Sequence, residues 1–247
     1  MQSIVHQSRK RFGQHFLRDP VVIQRILNAI KARPEQHLLE IGPGLGAITL
    51  PVLEAAQRLE VVELDRDLIP RLQERCRGRG ELRIHQADAL TFDLSQLCLN
   101  GRRLRVLGNL PYNISTPLLF HLLEQANHIS DMHFMLQREV VERMAAAPSE
   151  TAYGRLSVML QYRCRVEPLF CIGPEAFSPP PKVKSAFVRL LPIRNRRLSS
   201  TANGTSRNWS GRPFPKGVKC CVTACAVCFP SKRWRLPGST RTLARKR

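Results

Sequence analysis

A chain of 247 residues is long enough for one or two domains with a full core. Lys plus Arg number 39 against 19 Asp plus Glu, a net charge of +20. That excess points to a polyanionic partner, nucleic acid ahead of membrane. Met1 to His6 contain no apolar signal-peptide stretch, and no apolar run approaches the ~20 residues of a membrane span, so a cytoplasmic protein with no membrane part is expected.

The chain opens with a basic arm, Ser8 to Phe16, in which Arg9, Lys10 and Arg11 are either RNA-phosphate contacts or a solvated face. Asp19-Pro20 reads as cap and first turn of a helix carrying Val22, Ile23, Ile26 and Leu27. Leu38 to Ile41 is a short buried strand running into Gly42-Pro43-Gly44-Leu45-Gly46, and Ala47 to Ala56 continues as a helix. Leu59 to Asp65 reads as a second strand, about Leu68 to Arg75 as a helix, Leu82 to Gln86 as a third strand, and Leu104 to Gly108 as a fourth. Ser115-Thr116-Pro117 caps a helix with Leu118, Leu119, Leu122 and Leu123, and Met132 to Leu136 is a fifth strand. Cys76, Cys98, Cys164 and Cys171 are scattered, as buried reduced thiols would be.

Strands alternating with helices predict an α/β fold with a doubly wound, mostly parallel sheet. Ligands in such sheets sit at the C-terminal ends of the strands. Gly42, Glu63, Asp88 and Asn109 each lie at or just past such an end, so they are expected around one crevice. The glycines let backbone approach a ligand closely. Glu63 can accept both hydroxyls of a ribose, and Asp88 can accept from an adenine amino group. The loop alone fits either S-adenosylmethionine or a nicotinamide cofactor, and equally a structural strand-turn-helix.

Two features favour the first. Glu40 precedes the loop, where it could face the cationic amino-acid part of a sulfonium cofactor. Asn109-Leu110-Pro111-Tyr112 ends the fourth strand, which hydride transfer does not require. Asn brings an amide oxygen and two donors, Pro removes an N–H and fixes the backbone, and Tyr supplies a flat apolar face with a polar tip. Together they suit a planar heterocycle bearing an amino group, such as adenine.

These segments occur with others: R-F-G-Q-H-F-L (Arg11 to Leu17), L-E-I-G-P-G-L-G (Leu39 to Gly46), V-E-L-D (Val62 to Asp65) and Q-A-D-A (Gln86 to Ala89). G-N-L-P-Y-N-I-S-T-P (Gly108 to Pro117), L-Q-R-E-V-V (Leu136 to Val141), Y-G-R-L-S (Tyr153 to Ser157) and F-S-P-P-P-K-V-K-S (Phe177 to Ser185) follow. Over residues 7 to 192 the chain resembles the bacterial 16S rRNA adenine dimethyltransferase family. The resemblance implies a Rossmann-like class I methyltransferase that uses S-adenosylmethionine to dimethylate two adjacent adenosines near the 3′ end of 16S rRNA in the small ribosomal subunit. It implies cofactor contacts at His15, where the family often has Asn, and at Leu17, Gly42, Glu63, Asp88 and Asn109. It implies catalytic positions at Asn109, the carbonyls of Leu110 and Pro111, Tyr112, and Phe177 as a second stacking face. A monomer is expected.

The resemblance divides the chain into a catalytic domain, 1–192, and a tail, 193–247. The tail carries 14 Lys/Arg and no acid, both Trp residues, and no sustained helical period. The family's small helical C-terminal domain is missing from it. Cys220-Cys221 and Cys225 to Cys228 suggest a metal site, but the tail has no His and the ligand spacing is short, so no metal is expected. Shifted by one base, Trp209 to Arg247 can encode an acid-containing helical run that looks like the missing domain. A reading-frame shift between about Ile193 and Arg207 is therefore expected, with a disordered, non-native tail. The rival readings are the related large-subunit rRNA methylase of the antibiotic-resistance type, a non-catalytic RNA-binding assembly factor, and a nicotinamide-dependent oxidoreductase.

Overall fold

A computed structural model describes residues 15–98 and 101–193. The basic arm at Arg9, Lys10 and Arg11 and the tail beyond Ile193 lie outside the described residues. Asp19 begins the first helix: its carboxylate accepts from the N–H groups of Val21 at 2.8 Å and Val22 at 3.3 Å. Those donors have no helical carbonyl to reach. The order is β1 (Phe16–Leu17), α1 (Pro20–Ile30), β2 (His37–Ile41), α2 (Thr49–Ala56), β3 (Arg58–Glu63), α3 (Ile69–Cys76), β4 (Glu81–Gln86) and β5 (Leu104–Asn109). Then come α4 (Ser115–Glu124), β6 (Ile129–Gln137), α5 (Arg138–Ala145), α6 (Arg155–Gln161), β7 (Cys164–Ile172), β8 (Phe177–Ser178) and β9 (Ser185–Pro192).

Seven strands form one sheet in the order β4-β3-β2-β5-β6-β9-β7. The first five run parallel, while β9 and β7 are antiparallel. The chain winds outward from β2 through β3 to β4, then returns to β5 on the other side of β2. This reversal opens a crevice above the β2–β5 pair. Both faces of the sheet are covered, so neighbouring residues on one strand serve opposite cores. Leu39, Val106 and Phe134 join one cluster with Leu118 and Leu122 of α4. Leu38, Leu107 and Met135 join the other with Ile26 of α1 and Val52 of α2. That double burial is why these strands read as apolar runs rather than alternations.

Three differences from the sequence reading have physical causes. Helix α2 starts at Thr49, because the residues before it close a turn in which the Gly46 N–H donates to the Pro43 carbonyl at 2.9 Å. Strand β3 stops at Glu63, and Leu64 is exposed. The β7–β9 hairpin was not foreseen, since Pro168 in mid-strand argues against a strand. The sheet accommodates it because β7 is an edge strand, and the pairing shifts register between Pro168 and Phe170.

Charge is also buried here. Asp131 on β6 accepts from Arg105 Nε at 2.8 Å and from Arg189 Nη2 at 3.0 Å. Burial pulls its carboxyl upward, but the hydrogen bond from Arg105 and the positive charges around it win, leaving its pKa below the ordinary value. Nearby His133 is buried, and its pKa is pushed from 6.5 down to about 4, first by loss of water and then by the two arginines, against the pull of Asp131. The unfolded chain therefore binds a proton at this residue near pH 6.5 and the folded chain only near 4. Stability from this group is present above pH 6.5 and falls as pH drops toward 4. Thermal unfolding of wild type and His133→Gln across that range should show the wild type losing stability more steeply, by up to roughly 3 kcal/mol at the acid end. Parallel curves would show that His133 is not held neutral.

Candidate active site

The crevice above β2 and β5 is a cavity of about 830 Å³, within the usual range for a small-molecule site. Its floor is the turn after β2. Gly42, Gly44 and Gly46 all take positive φ, at 66°, 57° and 81°, which only glycine adopts without strain. A Cβ at Gly44 would stand 3.3 Å from the Phe16 ring, so β1 lies directly over the loop. Arg75 of α3 donates to the Leu45 carbonyl and holds the loop from outside.

Glu63, at the end of β3, accepts from Gly44 N–H at 3.2 Å and from Asp65 N–H at 2.8 Å. Burial raises its pKa, and these N–H groups offset part of the rise. Glu40 also lines the cavity and is almost completely buried. Its Oε2 has no hydrogen-bond partner among the described residues. Burial raises its pKa from 4.5 to about 8; Thr49 opposes the rise and the nearby Glu63 adds to it. An orphaned acid in a cavity wall is an unspent acceptor for a cationic group. Asp88, past β4, is exposed at the cavity edge and accepts from Leu90 N–H at 2.9 Å.

Asn109 ends β5, and its Nδ2 donates to the His15 carbonyl at 2.9 Å. The bond fixes which end of the amide is which, and leaves Oδ1 as the acceptor. The carbonyl of Leu110 has no hydrogen bond among the described residues, whereas that of Pro111 accepts from Ile114 N–H at 3.2 Å. Tyr112 is held at its carbonyl, at its phenol and over one ring face. The Ser115 hydroxyl donates to its carbonyl at 3.1 Å, its phenol meets the Ser185 hydroxyl at 2.6 Å, and the His15 ring lies over it at 5.8 Å, tilted 29°. His15 Nδ1 lies 2.8 Å from the Pro179 carbonyl, which can only accept, so Nδ1 carries the proton.

The cavity thus brings together His15, Leu17, Gly42, Glu63, Asp88, Asn109, Leu110, Pro111 and Tyr112. Phe177 is not in its lining. That ring is buried in the core on the α1 side, on β8 opposite Leu17 of β1. The sequence reading gave Ser115 only as a helix cap and did not single out Ser185. Each lay inside a quoted motif block, but nothing in the blocks showed that both would converge on one tyrosine.

A family profile described as ribosomal RNA adenine dimethylase matches residues 5–203. The chain belongs to this family. It is thereby an rRNA adenine dimethyltransferase with a class I methyltransferase fold. The ribosomal RNA small subunit methyltransferase A of Marinobacter nauticus is 62% identical over 187 residues, covering 76% of this chain and 67% of that protein. A dimethyladenosine transferase structure from Plasmodium falciparum is 30% identical with a TM-score of 0.65, covering 72% of this chain and 64% of that one. The structure of the 23S rRNA methyltransferase ErmE is 29% identical with a TM-score of 0.63, covering 72% of this chain and 70% of that one. The chain therefore spans about two thirds of the length of these relatives.

Gly108 sets how closely β5 and β2 approach. A Cβ there would stand 2.5 Å from the Ile41 carbonyl oxygen, which belongs to backbone and cannot move aside. Gly108→Ala should cost roughly 1–3 kcal/mol in denaturant unfolding and spread Gly42 from Asn109, weakening ligand binding in the cavity. An unchanged unfolding midpoint would count against this packing.

Proposed function

We propose that this chain dimethylates the amino nitrogens of two adjacent adenosines in the 3′-terminal hairpin loop of 16S rRNA. It would do so in the cytoplasm, with S-adenosylmethionine as methyl donor, as a step in making the small ribosomal subunit. The observation that carries the proposal is the orientation of Asn109. Its Nδ2 donates to His15, so Oδ1 and the Leu110 carbonyl, which has no hydrogen bond among the described residues, remain as two acceptors in successive residues. An adenine amino group has two N–H donors and a lone pair shared with its ring. Two acceptors gripping those hydrogens hold the nitrogen pyramidal and free the lone pair. Tyr112 offers the flat face on which the base stacks, a contact worth roughly 1–3 kcal/mol. An adenine inside a helix cannot reach such a site, so an unpaired loop is the fitting substrate.

The residues of the cavity fit S-adenosylmethionine. Gly42 and its loop give backbone access, and Glu63 and Asp88 are acceptors spaced along one wall for ribose and adenine. The orphaned Glu40 suits the ammonium of the amino-acid part. His15 and Leu17 also line the cavity. When bound, the cofactor supplies an electrophilic methyl group. Everything else asked of the protein is positioning, which can contribute roughly 7–11 kcal/mol. For Phe177, burial against Leu17 favours a role in holding β1 over the cavity. The large-subunit alternative has the weaker support, since ErmE is 29% identical and the small-subunit relative 62%. A frame shift between about Ile193 and Arg207 would account for the acid-free, tryptophan-containing tail. We propose that shift as the origin of the tail, and the nucleotide sequence tests it directly.

The central test is transfer of labelled methyl from S-adenosylmethionine to small subunits lacking these modifications. Incorporation into adenines is expected, falling by roughly 10²-fold or more in Asn109→Ala. Cofactor binding without any transfer would overturn the activity for this chain. A second measurement concerns Glu40, which is largely protonated at pH 7 because its pKa is about 8. An arriving ammonium should ionise it, so calorimetry at pH 7 should show proton release that depends on buffer ionisation enthalpy and disappears in Glu40→Gln. A buffer-independent enthalpy would remove Glu40 from the site.

A further inference from the structure

We propose that Ser185 is a positioning residue for methyl transfer, acting through Tyr112. The inference rests on the reading of Asn109 to Tyr112 as the adenine site, and it adds a residue that the motif does not contain. Topology brings the two together. In the parallel strands the ends facing the crevice are C-terminal. Strand β9 runs antiparallel to β6, with Ser185 opposite Gln137, so its first residue rather than its last lies at that edge. Ser185 is completely buried and also pairs with Ile172 of β7, so strands on both sides fix its backbone. Its hydroxyl lies 2.6 Å from the Tyr112 phenol oxygen.

The remaining contacts of Tyr112 show what this bond controls. The Ser115 hydroxyl fixes the tyrosine carbonyl, close to the backbone. The His15 ring lies over one face but does not set rotation in the ring plane. Among the described residues, the bond to Ser185 is the hydrogen bond that holds the far end of the ring. A tyrosine anchored at both ends presents one plane to a stacked base. A tyrosine anchored at the backbone alone sweeps through a range of tilts and carries the base with it. The target nitrogen must be aligned with the methyl group to within a fraction of an ångström, so such tilting lowers turnover more than binding. Burial pushes the Tyr112 phenol up and the Ser185 hydrogen bond draws it partly back, consistent with an interaction formed out of water.

The test compares Ser185→Ala, Tyr112→Phe and the double variant in the full chain. Each single change should lower kcat for methyl transfer roughly tenfold while KM for the cofactor stays within about twofold. The double variant should be no slower than the worse single, because one bond is removed in each case. Multiplying effects would overturn the proposal, as would a loss confined to KM. An arm independent of activity is spectrophotometric titration of the phenols, with Tyr112→Phe identifying the Tyr112 contribution. Ser185→Ala should move that titration to higher pH. An unmoved titration would overturn the pairing even if methyl transfer proceeds. If wild type transfers no methyl, the titration still tests the pairing, and the failure belongs to the proposed activity. Should Ser185→Ala not fold, Ser185→Cys keeps the size with a weaker donor, and intermediate shifts in both readouts are expected.

Discussion

Gly108 and the Ile41 carbonyl meet with no space for even a methyl group between them. The rest of the site depends on that closeness. Strands β2 and β5 are the pair at which the winding reverses, so each delivers a loop to the same point above the sheet. The loop after β2 brings three glycines and the backbone of a small-molecule cradle. The loop after β5 brings Asn109 and Tyr112. Their separation is the strand spacing, fixed by backbone hydrogen bonds at about 4.7–4.9 Å. A methyl donor and a methyl acceptor must approach to near contact, and this pairing provides it before either is bound.

How far the sequence disclosed this is uneven, for physical reasons. Strands covered on both faces appear as dense apolar runs, so Leu38 to Ile41 and Leu104 to Gly108 could be read directly. Their ends then located Gly42, Glu63, Asp88 and Asn109, all of which line one cavity. The antiparallel edge did not declare itself. Pro168 interrupts β7, and β9 sits behind a proline-rich turn. The contribution of Ser185 depends on strand direction, which no local pattern carries. Phe177 was expected as a second stacking face from the family resemblance alone. The pairing of β1 with β8 instead turns its side chain into the core.

Acids are spent in two different ways on this sheet. Asp131 is surrounded by Arg105 and Arg189, and its charge is balanced within the fold. Glu40 is buried as deeply but has one oxygen with no partner among the described residues. The first arrangement is complete without a ligand. The second carries a standing desolvation cost that the protein alone does not offset, which is the signature of a group kept for something that arrives later.

One wall of the cavity belongs to a different sheet from its floor. Phe16 and Leu17 pair with β8 in a two-stranded sheet separate from the seven-stranded one. A two-residue ladder is weak by itself, and the bond from Asn109 to the His15 carbonyl fastens the wall to the floor. The side of the cavity and its base therefore belong to different sheets, tied together by the Asn109 amide. That wall is also rooted in a core of the larger sheet, where Leu17 and Phe177 pack in the same cluster as Ile26 and Val52. Apolar burial of Leu17 and Phe177 and the tie from Asn109 therefore hold the wall in place against the floor.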